Sequence, residues 1–274
     1  MKIVTFAAKK GGVGKTTLTY NFGEWLANQE NAEHSKNKVL LIDLDNQCNL
    51  SEIYKIHDQE NTVGNIFDIT SNQDVKFHHV KPNIDLLAGD LRLDKKEELI
   101  ENRADKSMLL FLWFAKHREQ ITSYDYILID TPPAFSTSTK NAIVVSHDVL
   151  SPITPTEHGY MAKFDLKVRF DDFKKEAVDY HTMQSYVTSN LFFVGNMVRK
   201  GYSSTKEFLK ALQKEKENGD NSCIALIPEK ELFNRSTLDH MSLSEMEQQK
   251  TTYKQNEQFF DELDKTFEHI TSML

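Results

Sequence analysis

Apolar runs of strand length recur along the chain at Ile3 to Ala7, Val39 to Ile42, Ile84 to Leu87, Tyr126 to Ile129, Val149 to Ile153, Leu191 to Val194 and Ile224 to Ile227. Several lack the polar alternation of a strand with one wet face, which predicts burial on both sides. Between them lie longer segments with helical spacing, such as Met108, Leu109, Phe111, Leu112 and Phe114. Strand and helix thus alternate, and the expected fold is α/β: a doubly wound, mostly parallel sheet flanked by helices. Two stretches interrupt the pattern, the polar run Asn28 to Asn37 and the region Asp58 to Asn83, and both read as loops or excursions. Near the end, Phe259, Phe260, Leu263, Phe267, Ile270 and Leu274 form an apolar helix stripe, backed by Glu257, Asp261, Glu262, Asp264 and Glu268. A helix lying on anionic lipid carries Lys and Arg on its polar face, so this acidic one is expected to dock on the chain's own core, or else on a partner. With no internal repeat and no Pro/Gly-rich linker, residues 1–274 are expected to form one domain, with a helical segment from about 242 to 274 packed on it.

Composition changes this picture little. The 39% hydrophobic and 27% charged content is that of an ordinary soluble globular chain. No apolar run approaches the roughly 20 residues that cross a bilayer, and the N-terminal run leads straight into a glycine loop, so it reads as a first strand and not a signal peptide. Cys48 and Cys223 stand far apart without metal-binding spacing, which fits a reducing, cytoplasmic setting. The ten histidines form no evident metal or nucleophile constellation. A net charge of −8 argues against a surface that coats nucleic acid and confines any DNA contact to a local patch.

The chemistry begins after the first strand, at Lys9-Lys10-Gly11-Gly12-Val13-Gly14-Lys15-Thr16-Thr17, which precedes a helical segment. Strand, glycine loop and helix in that order make a phosphate-binding loop: its backbone N–H groups point inward at the positive end of the helix. Lys15 is expected to reach the β- and γ-phosphates of ATP, and Thr16 to offer its hydroxyl to Mg²⁺. The strand Val39 to Ile42 ends in Asp43-Leu44-Asp45, whose carboxylates alternate onto one side at the strand's C-terminal end, where open α/β sheets bind ligands. A third strand, Tyr126 to Ile129, ends in Asp130-Thr131-Pro132-Pro133.

Lys9 stands where the strict loop pattern has glycine, and with Lys10 the loop resembles the deviant Walker A motif of the ParA/MinD superfamily of ATPases. The Asp43–Asp45 segment looks like the motif that follows the first helix in that family, although Asn46 replaces the usual Pro. Asp130-Thr131-Pro132-Pro133 resembles its Walker B strand and switch. Looser likeness extends through Asn83 to Leu91, Asn141-Ala142, Val149 to Pro155 and Ile227-Pro228, covering most of residues 1 to 240. The resemblance implies that Asp45 positions or activates the attacking water, and that Asp43 and Asp130 help hold Mg²⁺. It places the adenine near Asn196 and Pro228, and it makes Lys10 the signature lysine that crosses to a partner's phosphates in a face-to-face ATP dimer.

Among family members the resemblance is to ParA-type partition ATPases, which implies a weak ATPase whose ATP-bound homodimer binds DNA non-specifically and works with a ParB-type centromere-binding partner. Such a protein would be cytoplasmic and nucleoid-associated when ATP-bound. The chain starts almost at the loop, so no helix-turn-helix is expected ahead of it. Basic candidates for the DNA patch are Arg199, Lys200, Lys206, Lys210, Lys214 and Arg235; in a helix over Thr205 to Glu217 the lysines at 206, 210 and 214 share one side, roughly opposite Phe208 and Leu212. The alternative reading is a MinD-like membrane-associated positioning ATPase, which the acidic C-terminal helix disfavours. A metal-handling member would need interface cysteines that Cys48 and Cys223 do not supply. A nucleotide-binding adaptor without hydrolysis would have no need of Lys10, Lys15, Asp43, Asp45 and Asp130 together.

Overall fold

A computed structural model describes residues 1–68, 70 and 73–274. The chain runs β1 (Lys2–Phe6), α1 (Lys15–Asn28), β2 (Val39–Asp43), α2 (Asn49–Ile53), α3 (Gly64–Phe67), β3 (Phe77–Lys81) and β4 (Ile84–Leu87). It continues through α4 (Leu93–Leu99), α5 (Leu109–Lys116), α6 (Arg118–Ile121), β5 (Tyr126–Asp130), α7 (Thr137–Val145), β6 (Asp148–Ile153) and α8 (Glu157–Glu176). The last part holds β7 (Asn190–Val198), α9 (Ser203–Glu217), β8 (Cys223–Pro228), α10 (Glu231–Leu238), α11 (Leu243–Glu247) and α12 (Lys250–Met273). The strands form one sheet in the order β3-β4-β2-β5-β1-β6-β7-β8, parallel at every step except β3 against β4.

All seven expected strands are present. The region Asp58 to Asn83 is more than a loop, however, because it contains α3 and the antiparallel edge strand β3; Ile69, Ser71 and Asn72 within it lie outside the described residues. β3 escaped the sequence reading because an edge strand is half wet: His79 is exposed and Lys81 only partly covered, which breaks the apolar run.

The central strands show why their sequences are apolar throughout. In β2, Val39 and Leu41 join the core on the side of α1 and α12, whereas Leu40 and Ile42 join the core on the side of α5. In α12, Phe259, Phe260, Leu263, Phe267 and Ile270 of the stripe are buried, and Leu274 at its end is partly covered. Phe267 meets Phe22 and Trp25 of α1 edge-on at 5.2 and 5.6 Å, and Trp25 Nε1 donates to Asp264 at 2.8 Å. Among the described residues, no helix is long and apolar enough to cross a membrane.

Register fixes what stands beside the glycine loop. Phe6, the last residue of β1, pairs with Asp130, and Asp130 pairs with Asp43 across β5 and β2. The chain therefore leaves β1 into the loop beside Asp130 at the end of β5, with Asp43 one strand further on at the end of β2.

Candidate nucleotide site

The loop reaches α1 through Gly14, whose φ of +88° is the left-handed region open to glycine. A Cβ at Gly14 would also lie 2.5 Å from Asn196 Nδ2, which donates to Val13 O at 2.8 Å. Asn196 thus braces the loop from β7 while it lines, with Pro228 and Phe233, a narrow pocket of about 60 Å³ beside Gly14, Thr17 and Leu18. The two residues expected at the adenine are brought together there. Phe233 and Asn234 of α10 line the same pocket and carry no motif by which the sequence could have named them.

A second cleft, of about 460 Å³, runs from Gly11 and Gly12 past Lys15, Thr16 and Thr17 to Asp45 and Gln47, with Pro133 on its border. Lys15 is largely buried; burial lowers its pKa, and Asp130 and Asp45 counter that by attraction. Thr16 Oγ1 donates to Asp130 Oδ2 at 2.6 Å. Asp130 is wholly buried, and its Oδ1 has no hydrogen-bond partner among the described residues. Burial, reinforced by the neighbouring Asp43, pushes its pKa up to about 8. An orphaned carboxylate oxygen next to a threonine hydroxyl is an oxygen-donor set suited to a hard divalent cation.

Asp43 is placed differently from its partner in sequence. Its Oδ2 accepts from Ser51 Oγ at 2.7 Å and Ser51 N at 2.9 Å, and its Oδ1 accepts from Asp45 N at 3.2 Å. Burial nevertheless raises its pKa to about 6. Asp43 shapes the turn that carries Asp45, and Asp45 is the carboxylate that faces the cleft, its Oδ1 accepting from Gln47 N at 3.0 Å. Asn46, in place of Pro, sits in that turn, which Cys48 N closes onto Asp45 O at 2.9 Å.

Lys10 does not line the Lys15 cleft. It borders a neighbouring one of about 390 Å³, with Thr154, Thr156, Arg199 and Tyr202. Lys9 is held by Asp165 of α8 at 2.9 Å. Of the basic candidates, Lys200, Lys206, Lys210 and Lys214 are exposed, whereas Arg199 is paired with Glu229 and Arg235 with Asp239 at 2.8 Å.

A family model described as an AAA domain (AAA_31) matches residues 1–179. Over 160 residues the chain is 34% identical to the virulence plasmid ParA family protein pGP5-D of Chlamydia trachomatis, covering 57% of each chain. Over 156 residues it is 32% identical to the sporulation initiation inhibitor protein Soj of Bacillus subtilis, covering 56% of this chain and 58% of Soj. The chain belongs to the AAA_31 family of the ParA/MinD superfamily. It spans little more than half the length of these ParA/MinD relatives in the matched stretch. Two solved structures share the fold. A plasmid partition protein of Borrelia burgdorferi B31 described as putative and bound to AMPPNP superposes with a TM-score of 0.68 at 24% identity, over 96% of this chain and 98% of that one. An ATP complex of a Cyanothece McdA variant superposes with a TM-score of 0.77 at 21% identity, over 99% and 95%. These two neighbours share the fold and, by their descriptions, hold an adenine nucleotide or its analogue.

Proposed function

We propose that the chain is a ParA-type partition ATPase: it binds ATP with Mg²⁺, hydrolyses it slowly, and dimerises face to face while ATP is bound. On this reading residues 1–274 act as one ATPase unit, the ATP-bound dimer binds DNA of any sequence, and a ParB-type partner promotes its release. The observation that carries the reading is the separation of the two loop lysines. Lys15 lines the cleft with Thr16 and Asp45, and Lys10 borders a different cleft, where a second copy's phosphates would find a cation.

Mg²⁺, when bound, would neutralise charge on the β- and γ-oxygens. Thr16 and the unpartnered Oδ1 of Asp130 would hold it, and Asp43 would steady the surrounding shell through the Ser51 turn. Lys15 and the loop amides bind and orient the phosphates, Asp45 orients the attacking water, and Lys10 stabilises charge on the transferring group of the partner's nucleotide. Asn196 and Pro228 flank the base. The DNA contact is assigned to Lys206, Lys210 and Lys214 of α9 with Lys200; the carboxylate partners of Arg199 and Arg235 make those two weaker candidates.

The MinD-like alternative needs an apolar helix stripe free to meet lipid, and the α12 stripe is buried in the core. The test is sedimentation and turnover with ATP and Mg²⁺. Lys10→Ala is expected to keep ATP binding while the ATP-induced dimer or its hydrolysis is lost. Asp45→Ala is expected to keep ATP bound and accumulate the dimer. A Lys10→Ala protein that dimerises and hydrolyses like the parent would remove the assignment. For DNA, anisotropy on unrelated duplexes should show ATP-dependent binding whose log affinity falls by about 0.9 per neutralised phosphate for each unit of log salt. Glu at positions 206, 210 and 214 should flatten that slope.

A further inference from the structure

The two edges of the sheet are not alike. β3 carries His78, His79 and Lys81 and shifts register against β4 between His79 and Lys81. Charge is a device by which an edge strand avoids accepting another strand. β8, the opposite edge, reads Cys-Ile-Ala-Leu-Ile over 223–227 and carries no charge. Among the described residues it pairs with β7 alone, and two register shifts, one on each side of Ala225 and Leu226, interrupt that pairing. Leu226 is 43% exposed although Ile224 and Ile227 are buried.

The free side of β8 opens into a groove of about 720 Å³ whose floor is Cys223 to Leu226. One wall is the face of α9 bearing Leu209, Leu212 and Lys216. The other is the face of α12 bearing Lys265, His269 and Met273. Helices from opposite layers thus flank an open strand edge, leaving a slot in the plane of the sheet.

We propose that this groove takes an extended, acidic segment of a partner protein as an added strand, hydrogen-bonded to Cys223–Leu226. Main-chain bonds supply affinity in such docking, and alternate side chains read the walls. Apolar side chains of the segment meet Leu209, Leu212, Leu226 and Met273. Acidic ones meet Lys216, Lys265 and His269, all exposed on the rim. Asp220 also borders the groove, but Lys163 holds its carboxylate at 3.2 Å, so the rim attracts anions. A second copy fits less well. Antiparallel pairing of two β8 edges about a two-fold axis normal to the sheet sets α9 against α9 and α12 against α12, and the same cations face each other. The inference is separate from the nucleotide-dependent reading and is tested without nucleotide or DNA.

The probe is a fluorescein-labelled octapeptide of alternating valine and aspartate, titrated with the full chain and followed by anisotropy. Saturable binding below about 1 mM is expected. The same peptide with lysine for aspartate, or with two prolines inserted, should not bind. Lys216→Glu combined with Lys265→Glu should weaken binding by about tenfold with an unchanged melting temperature, since both side chains are exposed rim charges. Leu226→Lys, which places a charge on the edge itself, should abolish it. Amide exchange at Cys223–Leu226 should slow when the acidic peptide is bound. The proposal is overturned by an absence of saturation, by equal binding of the lysine or proline peptides, or by unprotected β8 amides in the complex. It is equally overturned by a nucleotide-free dimer that protects those amides, which would assign the edge to a second copy.

Discussion

Asp130 answers to two opposing demands. Its place at the end of β5, beside Asp43 and out of water, raises its pKa to about 8, and burial raises that of Asp43 to about 6. For both groups the folded chain holds the proton more tightly than the unfolded one. Their contribution to stability is therefore complete below the ordinary carboxylate range and is lost as pH rises through about 6 and then about 8. The melting temperature of the nucleotide-free protein is expected to fall across that window, and Asp130→Asn should flatten the fall; calorimetry at a series of pH values decides it. ATP with Mg²⁺ should raise the melting temperature more near pH 8 than near pH 6, because a cation beside Asp130 favours its charged form. At the same scale, Gly14→Ala should cost about 1–3 kcal/mol from the left-handed backbone alone. It should also dislodge Asn196 from Val13, so calorimetric titration with ATP should find binding greatly weakened; ordinary affinity in that variant would contradict the bracing role of Asn196.

At the scale of elements, what could be read from the sequence depended on how fully each segment is buried. β2 and β5 are dry on both faces and announce themselves as unbroken apolar runs ending in Asp43 and Asp130. β3 is a wet edge and does not. The phosphate loop and the three aspartates were legible because each lies within a contiguous motif. Phe233 and Asn234, by contrast, reach the pocket beside Gly14 only through the packing of α10, which leaves no local signature. The apolar stripe of α12 told its burial but not its partners, Phe22 and Trp25. Phe267→Ala should cost about 3–5 kcal/mol in urea unfolding, as loss of a buried aromatic ring does. A cost below about 1 kcal/mol would mean that α12 lies on the sheet without anchoring it.

For the molecule as a whole, the placement of α1 matters most. It is buried without interruption from Leu18 to Ala27, polar Thr19, Asn21 and Glu24 included. Glu24 ties its far end to the rest of the fold, accepting from Tyr54 Oη at 2.8 Å and from Lys81 at 3.0 Å. Amides in such a segment exchange with solvent only when the whole structure opens, whereas those of exposed loops exchange through local fluctuations. The helix is then a built-in clock for global unfolding, and the glycine loop at its N-terminus is a separate clock for occupancy. In one deuterium-exchange experiment, ATP should slow the amides around Gly11 to Gly14 directly, while those from Leu18 to Ala27 slow only by the factor through which ATP stabilises the entire fold. The ratio of the two rates then separates ligand contact from stabilisation without a second sample. A protein in which α1 exchanges quickly until nucleotide arrives would have a core that assembles around its ligand.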